Sequence, residues 1–272
     1  MQNKSMNHSL RRFFIDPAAI KGATANLTGP EVHHLKNVLR LKTGDRIELF
    51  DGTGKTYVTI IEHFTKDTIQ MRIISVEETA DSTPQLFIGQ ALLTGKKMDL
   101  VVQKATELGV HTLQPFISEH CARTDISAAK GQRWDRIILE ACKQCGRPQL
   151  MTCPPPIGFT ELINMNAESA IKLIFWEQEE TQTLQLLVNA LPVDRRQMTG
   201  PIFALIGPEG GFSSAEISQA VSAGFVPVTL GHRVLRAETA AIAGMAILQF
   251  LLGNLSREDG GSDREGAAQR RV

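Results

Sequence analysis

Hydrophobic positions in the C-terminal part of the chain form short continuous runs, separated by longer segments with helical spacing. The short runs predict buried or extended strands at residues 86–92, 110–116, 171–176, 202–206 and 226–230. The longer segments predict helices at residues 98–108, 134–145, 183–191 and 238–252. A further helix is predicted to begin after Ser213, which forms a capping box with Glu216. This alternation predicts an α/β domain over residues 85–253, with a mostly parallel sheet and helices on both faces.

Residues 11–78 follow a different pattern, in which short strands alternate with tight turns. Runs at residues 47–50 and 57–61 flank Asp51-Gly52-Thr53-Gly54, which is a hairpin signal, and residues 69–76 predict a third strand. We therefore expect a small β-rich domain, joined to the α/β domain by a polar segment. Residues 256–272 are charged and rich in glycine, which predicts a disordered tail.

One helix is predicted inside the β-rich domain, beginning near Pro30. Its apolar face consists of Val32, Leu35, Val38 and Leu39. A second face has the i, i+3, i+4, i+7 spacing and consists of His33, Lys36, Asn37 and Arg40. Such a basic, hydrogen-bonding stripe suits contacts with phosphates, although a stripe this short is more often an ordinary solvated helix face.

The composition excludes some classes of function but does not identify one. The chain of 272 residues carries 29 basic and 29 acidic side chains, so it lacks the overall positive charge of many nucleic-acid-binding proteins. A hydrophobic share of 42% is sufficient for a substantial core. No apolar run approaches the roughly 20 residues of a membrane span, and the first ten residues lack the apolar stretch of a signal peptide. We expect a cytoplasmic protein whose four cysteines are reduced.

Several motifs for common cofactors are incomplete in this chain. Gly54-Lys55-Thr56 is similar to the end of a phosphate-binding loop, but Leu49 stands where the first glycine is required. No GxGxxG pattern follows a predicted strand, which argues against a dinucleotide site. Cys142 and Cys145 have the spacing of half a zinc site, yet no second pair exists and both lie on an apolar helical stripe. We expect buried thiols there and no metal.

Two glycine-containing segments carry the strongest functional signal. The first glycine segment consists of Ile206, Gly207, Pro208, Glu209, Gly210 and Gly211. The second glycine segment spans residues 230–240, with candidate ligand-binding residues Leu230, Gly231, Val234, Leu235, Arg236, Glu238, Thr239 and Ala240. Each follows a predicted strand and leads into a helix, at the edge of an α/β sheet where ligands bind. We expect one pocket built largely of backbone; tight turns without a ligand are the alternative.

Two charged residues of the second glycine segment lie at the start of an otherwise apolar helix. Arg236 and Glu238 either pair with each other or face a polar substrate, and the sequence leaves both readings open. The N-terminus of that helix also offers free backbone N–H donors to a ligand.

Together these segments resemble the RsmE-type small-subunit ribosomal RNA uridine-N3 methyltransferases of the SPOUT class. The two glycine segments are the strongest matches, and the resemblance covers residues 11–253. The supporting matches are Arg12-Phe13-Phe14, His34-Leu35 with Val38-Leu39-Arg40, residues 103–110 and residues 144–147. One departure is His120-Cys121, which stands where the family pattern has an Arg-Ser-like pair.

The resemblance implies a fold and a reaction. Residues 11–78 would form a PUA-like β-barrel that helps to bind RNA, and residues 85–253 a SPOUT α/β domain with a deep trefoil knot. The two glycine segments would hold S-adenosyl-L-methionine in a bent shape. The protein would be a homodimer whose active sites draw on both subunits. The product would be N3-methyluridine in the 16S ribosomal RNA of the assembled small (30S) subunit.

The chemistry of uridine assigns roles to individual residues. Removal of the N3 proton places negative charge on O2 and O4, so nearby cations would stabilise the reacting base. The candidate catalytic residues are Arg236, Arg147 and Lys104. Glu107 is a candidate general base, but it lies one helical turn from Lys104, and we expect an ion pair between them. The candidate RNA contacts are Arg12, His33, Lys36, Asn37, Arg40 and Arg123, with Arg123 supplying a cation near His120-Cys121.

Two other functions remain open at this point. A non-catalytic RNA-binding or ribosome-assembly protein would also use a β-barrel with a basic helix stripe. A SPOUT methyltransferase acting on another RNA, such as transfer RNA or a ribose 2′-hydroxyl, would share the glycine segments. The glycine segments favour an enzyme over a simple binding protein, because binding RNA does not require a backbone pocket in the second domain.

Overall fold

The computed structural model describes residues 10–79, 84–122, 128–165, 171–182, 184 and 200–255. These residues form two six-stranded sheets, one in each of the predicted domains. No helix among them is long and apolar enough to cross a membrane.

The first sheet curls into a half-barrel. It contains β1 (Arg12–Phe14), β2 (Ile20–Lys21), β3 (Thr24–Thr28), β4 (Arg46–Phe50), β5 (Lys55–Phe64) and β6 (Thr68–Glu78). The strand order is β1-β4-β5-β6-β3-β2, around a core that includes Phe13, Leu35 and Ile61. This confirms the predicted PUA-like β-rich domain and its strands at residues 47–50, 57–61 and 69–76, whereas β1, β2 and β3 are additional.

The helix of this domain is shorter and more irregular than the prediction. A single α-helical turn, α1 (Pro30–His33), passes directly into a π-helical turn (His34–Val38). In that turn the Leu39 N–H donates to the His34 carbonyl at 3.0 Å, an i→i+5 bond that widens the helix. Val32 and Leu35 are buried as predicted, but Val38 is 65% exposed, because the wider turn rotates it away from the core. The prediction for Val38 is therefore wrong.

The second sheet is entirely parallel. Its strands are β7 (Leu86–Ala91), β8 (Thr112–Ile117), β9 (Ile157–Gly158), β10 (Ile171–Phe175), β11 (Ile202–Ile206) and β12 (Val226–Val228), in the order β12-β10-β11-β7-β8-β9. The helices are α2 (Lys97–Glu107), α3 (Ala128–Cys145), α4 (Phe159–Asn164), α5 (Ser214–Ser222) and α6 (Ala237–Leu251). This arrangement confirms the predicted α/β class.

The sheet separates two apolar layers. Ile202, Ala204 and Ile206 of β11 pack in the layer that contains residues of α2, α3 and α6. Phe203 and Leu205 pack in the opposite layer, with residues of α4 and α5. A strand buried on both faces needs a continuous apolar sequence, which is why these strands are recognisable as unbroken runs.

The differences from the predicted elements are local. The helix predicted at residues 134–145 begins earlier, at Ala128, and the short elements β9 and α4 were not predicted. Elements of two and six residues are too short to show periodicity. Most of the helix predicted at residues 183–191, and the tail at residues 256–272, lie outside the described residues. The trefoil knot and the exact domain limits stay predictions.

The two domains are joined through the β4–β5 hairpin and α3. Lys143 on α3 forms an ion pair with Glu31, which follows β3. At the hairpin, Gly52 has a φ of +81°, and its carbonyl accepts a hydrogen bond of 3.0 Å from the Leu150 N–H. A Cβ atom on Gly52 would lie 2.9 Å from two carbon atoms of the Leu150 side chain. The hairpin therefore needs glycine both for its backbone conformation and for contact with the second domain.

Replacement of Gly52 by Ala tests this junction. Gly29→Ala is the matched control, because Gly29 has a similar φ of +77° but a methyl group there would have no atom within 4 Å. The left-handed backbone costs each variant roughly 1–2 kcal/mol. Gly52→Ala should lose about 1–3 kcal/mol more in the free energy of unfolding, because its methyl group overpacks against Leu150. If urea unfolding shows the same loss in the free energy of unfolding for both variants, the contact with Leu150 contributes nothing.

Candidate functional site

A cavity of about 400 Å³, called the main cavity below, lies at the carboxyl ends of β10, β11 and β12. All six residues of the first glycine segment line it. From the second glycine segment the lining includes Leu230, Gly231, Val234, Leu235, Arg236, Glu238 and Ala240, but not Thr239. The predicted convergence of the two segments is therefore present, with Thr239 outside the cavity wall.

Protein contacts explain the glycines of the first glycine segment. Gly211 has a φ of +71°, and the Glu177 carboxylate lies directly against the position that a side chain would occupy. A Cβ atom on Gly210 would lie 2.8 Å from the Cβ of His120. His120 also donates from Nδ1 to the Gly210 carbonyl at 3.1 Å. These glycines are required for packing against neighbours as well as for backbone shape, so the segment is compact before any ligand binds.

The contact with His120 bears on the one departure from the family pattern. His120-Cys121 follows β8 and lies against the first glycine segment, and the Cys121 thiol donates weakly to the Leu92 carbonyl at 3.6 Å. The departure from an Arg-Ser-like pair therefore falls beside the main cavity. Arg123, predicted to supply a cation there, lies outside the described residues.

The buried carboxylate of Glu216 fixes the start of α5. Ser213 and Glu216 form the predicted capping box, in which the Ser213 N–H donates to Glu216 Oε2 at 3.0 Å. The same carboxylate accepts from the Ser118 hydroxyl at 3.1 Å and from the Glu119 N–H at 3.0 Å. It thereby holds the segment after β8 against the helix that follows the first glycine segment.

Glu209 is held in its ionised form. Its carboxylate accepts hydrogen bonds from the Thr94 hydroxyl at 2.7 Å and the Thr94 N–H at 3.0 Å, and forms an ion pair with Lys97 at 2.9 Å. Burial acts to raise the pKa of Glu209, but these donors outweigh it and lower the pKa to about 2. Glu209 therefore remains charged at neutral pH, and its charge is already paired within the protein.

The N-terminus of α6 contributes both a cation and an anion to the main cavity. Arg236 is the N-cap residue, is exposed and makes no side-chain capping bond, and Glu238 lies in the first turn. Arg236 and Glu238 both lie in the described part of the chain, and no ion pair joins them there. Of the two readings left open by the sequence, the ion pair is not formed, and the exposed Arg236 side chain is available to a substrate.

Two polar atoms in the cavity wall are buried and have no hydrogen-bond partner within the described chain. They are the Trp176 Nε1, a donor, and the Glu238 Oε2, an acceptor. Both atoms are enclosed by neighbouring protein atoms, and so are the unpartnered Arg12 Nε and Nη2 atoms, which lie outside this cavity, so the missing partners do not by themselves identify a ligand.

The other two catalytic candidates lie at the opposite end of α2. Lys97, at the start of α2, lines the main cavity, and Lys104 lies about 10 Å further along the helix. Lys104 forms the expected ion pair with Glu107, at 2.7 Å. Arg147 donates to the Thr106 carbonyl at 3.3 Å and lines a separate cavity of about 310 Å³ together with Glu107. One chain therefore does not bring Arg147 and Lys104 to Arg236.

The predicted RNA contacts divide into two groups. His33, Asn37 and Arg40 are exposed, and Asn37 bonds to His33 at 2.8 Å. Lys36 instead donates to the carbonyls of Thr65 and Lys66.

Arg12 is also engaged within the protein. Its side chain is only 13% exposed, pairs with Glu48 at 2.8 Å and lies 4.7 Å above the Phe50 ring. The packing of Arg12 and Lys36 gives each a structural role, while the RNA contacts of the whole set stay predictions.

The cysteines form no metal site in the described part of the chain. Cys142 is buried as expected, but Cys145 is exposed, so the prediction of two buried thiols is wrong for Cys145. The reason is that Cys145 is the last residue of α3, where the helix leaves the core. No group of His, Cys, Asp and Glu side chains suitable for a metal occurs among the residues described.

Some residues of the main cavity were missed from the sequence. They are Lys97, Phe175, Trp176, Glu177, Thr229, Arg233 and Ala237. The usable signal for Phe175, Trp176 and Glu177 was their position at the carboxyl end of a predicted strand, where ligands of α/β proteins bind. In the sequence, only the two segments that contain glycine combine this position after a strand with a recognisable motif.

Comparison with known proteins agrees with this architecture. Residues 81–249 match the family model of the RNA methyltransferase domain, and residues 27–74 match that of the RNA methyltransferase PUA domain. The ribosomal RNA small subunit methyltransferase E of Buchnera aphidicola (subsp. Schizaphis graminum) is 31% identical over 235 residues, covering 85% of this chain and 92% of the relative. The Bacillus subtilis protein of the same name is 27% identical, covering 89% and 96%.

Solved structures of similar proteins point to the same family. A ribosomal RNA small subunit methyltransferase E from Neisseria gonorrhoeae, bound to S-adenosyl methionine, is 35% identical with a TM-score of 0.75, covering 91% of this chain and 100% of the other. A methyltransferase from Legionella pneumophila, also with bound cofactor, is 34% identical with a TM-score of 0.76, covering 89% and 97%. The resemblance inferred from the motifs is thereby confirmed, and the chain belongs to the ribosomal RNA small subunit methyltransferase E family.

Proposed function

We propose that this chain uses S-adenosylmethionine to methylate N3 of a specific uridine in 16S ribosomal RNA. The observation that carries the proposal is the main cavity, in which both glycine segments meet at the carboxyl edge of a parallel sheet. The Neisseria and Legionella relatives were solved with this cofactor bound, which supports the same ligand here.

The chemistry of the cavity fits this cofactor. A volume of about 400 Å³ is within the range of roughly 300–1,000 Å³ that small-molecule pockets occupy. Phe175, Ile206 and Leu235 supply apolar walls, and Lys97 is committed to Glu209 rather than available for a phosphate. The exposed side chains of Glu177 and Arg236 supply polar groups. When bound, S-adenosylmethionine supplies an electrophilic methyl group on a positively charged sulfur.

Arg236 is the catalytic candidate that one chain can supply. It lies in the cavity wall with no capping bond, so its guanidinium is available to O2 or O4 of uridine. N3 would lose its proton to solvent and take the methyl group, whose bond to sulfur breaks to release S-adenosylhomocysteine, while the Arg236 cation would stabilise the negative charge that develops on the base. Arg147 and Lys104 can contribute only if the partner subunit brings them to this cavity, because they lie at the other end of α2.

A homodimer would meet that requirement. Ile247 and Phe250 lie one helical turn apart on α6 and are 38% and 58% exposed. Large apolar side chains on one face of a helix are typical of a surface that another protein covers. We propose that a second copy of the chain packs on this face of α6.

The assembled small subunit in the cytoplasm is the substrate that we propose. The chain has a formal net charge of zero, so nonspecific attraction to free RNA should be weak. A folded ribonucleoprotein surface offers shape and many contacts in place of that attraction. The target base must leave its stack to reach the cavity, as bases do in other enzymes that modify them.

A non-catalytic RNA-binding protein is less well supported. Such a protein has no use for a cavity lined by both glycine segments in the α/β domain. A methyltransferase for another RNA shares the cavity, so only the choice of RNA substrate separates it from our proposal.

Methyl transfer to unmodified small subunits is the direct test. Subunits from a strain that lacks this activity are incubated with the protein and labelled S-adenosylmethionine, and the RNA is digested to nucleosides. We expect the label in N3-methyluridine of 16S ribosomal RNA. Label in another nucleoside, or only in transfer RNA, would contradict the proposed substrate, and lack of cofactor binding would contradict the proposed reaction.

Replacement of Arg236 by Ala tests the catalytic assignment. Loss of one charge-stabilising donor typically lowers turnover about 100-fold or more, so we expect kcat to fall by that factor. The dissociation constant of S-adenosylmethionine should change less than about twofold, because the proposed contact of Arg236 is with uridine rather than with the cofactor. Arg136→Ala, which removes an exposed arginine of α3, is the control for loss of positive charge. Equal losses in kcat and cofactor affinity would exclude the proposed role.

Replacement of Phe250 by Asp tests the proposed dimer. An interface aromatic residue contributes about 2–4 kcal/mol, so the variant should dissociate at concentrations at which the wild type is dimeric. Val221→Asp is the control, because Val221 is a similarly exposed apolar residue, at 49%, on α5. Sedimentation velocity over a range of concentrations measures the dissociation of both variants. A wild-type monomer, or a Phe250→Asp variant as dimeric as the control, would exclude this interface.

A further inference from the structure

We propose that His120 is the general base that removes the N3 proton of the target uridine. This inference rests on the proposed function and adds a role that Arg236, Arg147 and Lys104 cannot fill, because arginine and lysine side chains carry donors and no acceptor. The observation behind it is the hydrogen bond of 3.1 Å between Nδ1 of His120 and the carbonyl of Gly210, beside the main cavity.

The hydrogen bond to Gly210 fixes which ring nitrogen of His120 carries the proton. A carbonyl oxygen can only accept, so Nδ1 must be the protonated nitrogen of the neutral ring. Nε2 is then left with its lone pair, and a neutral imidazole nitrogen is the commonest general base in enzymes. The protein thereby presents His120 in the form that can accept a proton.

The backbone around His120 is fixed by three contacts. The Cys121 N–H donates to the Ser118 carbonyl at 3.1 Å, which closes a tight turn, and the Ser118 N–H donates to the Cys121 Sγ at 3.3 Å. The Glu119 N–H donates to the buried carboxylate of Glu216 at 3.0 Å. A catalytic group needs such support, because small errors in its position lower the rate strongly.

The position of His120 suits a base that acts on uridine. A Cβ atom on Gly210, which lines the main cavity, would lie 2.8 Å from the Cβ of His120. His120 is exposed and borders the cavity there without being part of its lining. In the proposed function the cofactor fills the cavity, so the uridine must lie at its mouth. A base that reaches N3 is therefore an exposed group beside the cavity.

Other groups near His120 are weaker proton acceptors. Glu209 is paired with Lys97 and has a pKa of about 2, so its carboxylate is a poor base. Burial raises the pKa of the Cys121 thiol, which keeps the thiol protonated at neutral pH. Carboxylates are ordinarily weaker bases than imidazole. The remaining charged groups on the segments packed around His120 are Glu119, Glu177 and Glu216.

The proposed step moves one proton and one methyl group. Nε2 of neutral His120 accepts the proton from uridine N3, and Arg236 stabilises the negative charge that develops on O2 and O4. N3 forms a bond to the methyl carbon while the carbon–sulfur bond breaks, and the electron pair of that bond stays on the sulfur of S-adenosylhomocysteine. The His120 imidazolium then releases the proton to solvent.

Replacement of His120 by Asn tests the assignment, because the Asn amide can keep the donor to Gly210 but offers no imidazole nitrogen. Single-turnover methyl transfer to small subunits with saturating cofactor isolates the chemical step. We expect its rate constant at neutral pH to fall about 100-fold or more. The dissociation constant of S-adenosylmethionine should change less than about twofold, and the melting temperature of the ligand-free protein should not change.

His63→Asn is the matched control, because His63 is an exposed histidine of β5 in the half-barrel. It should keep the wild-type rate constant. His120→Ala removes the donor to Gly210 together with the base. We therefore expect this variant to lose the same rate and, in addition, to bind S-adenosylmethionine more weakly, because the first glycine segment loses a contact that orders it.

The dependence on pH separates a base from a cation. A base acts only in its neutral form, so the wild-type rate constant should fall as the solution becomes acidic and level off at higher pH. In His120→Asn the hydroxide of the solvent must remove the proton, so the rate constant should keep rising with pH. His120→Arg supplies a permanent cation and should be as slow as His120→Asn.

Nitrogen NMR of the ligand-free protein, labelled at histidine, gives a readout that does not depend on activity. The signals of His120 are assigned by their loss in His120→Asn. Above the pH at which the ring loses its charge, we expect the proton on Nδ1 and none on Nε2.

Three outcomes would overturn the inference while leaving the proposed function intact. The first is a wild-type rate constant in His120→Asn. The second is a wild-type rate constant in His120→Arg, or a wild-type protein that becomes faster as the pH falls, since either would make His120 a cation instead of a base. The third is a neutral ring with its proton on Nε2. A wild-type protein that methylates no uridine would instead overturn the proposed function itself.

Discussion

The parallel alignment of β10, β11 and β12 is the constraint on which the candidate site depends. Neighbouring parallel strands end at the same edge of a sheet, so the segments that follow them are brought together although they are distant in sequence. β11 leads into the first glycine segment, β12 into the second, and β10 into Trp176 and Glu177. The N-terminus of α6 closes the cavity with free backbone N–H groups.

Contacts within the protein hold this cavity in shape. His120 and Glu177 cover the glycines of the first segment, and Glu209 is fixed by Thr94 and Lys97. Glu216 ties α5 to the segment after β8. A site that is already ordered avoids much of the entropic cost of ligand binding, because few side chains need to be immobilised.

The sequence predicts those features that depend on local patterns. Strands buried on both faces appear as apolar runs, and the glycine segments combine turn residues with a position after a strand. Trp176 escaped prediction because its place in the cavity wall depends on β10 lying beside β11 and β12, and that order is not encoded in a local motif. Arg12 was predicted as an RNA contact, but its burial depends on Glu48 and Phe50, which are distant in sequence. The exposure of Val38 depends on a π-helical turn that helical spacing does not reveal.

Because Arg236 lies apart from Arg147 and Lys104, the main cavity of a single chain contains one of the three predicted catalytic residues. The main cavity and the cavity beside Arg147 lie toward opposite ends of α2, so the proposed dimer would be the means of combining them. Both glycine segments, by contrast, line the main cavity of one chain.

A crystal structure of the protein with S-adenosylmethionine tests the central claim most directly. The account predicts the cofactor in the main cavity, between both glycine segments. Cofactor bound elsewhere would contradict it.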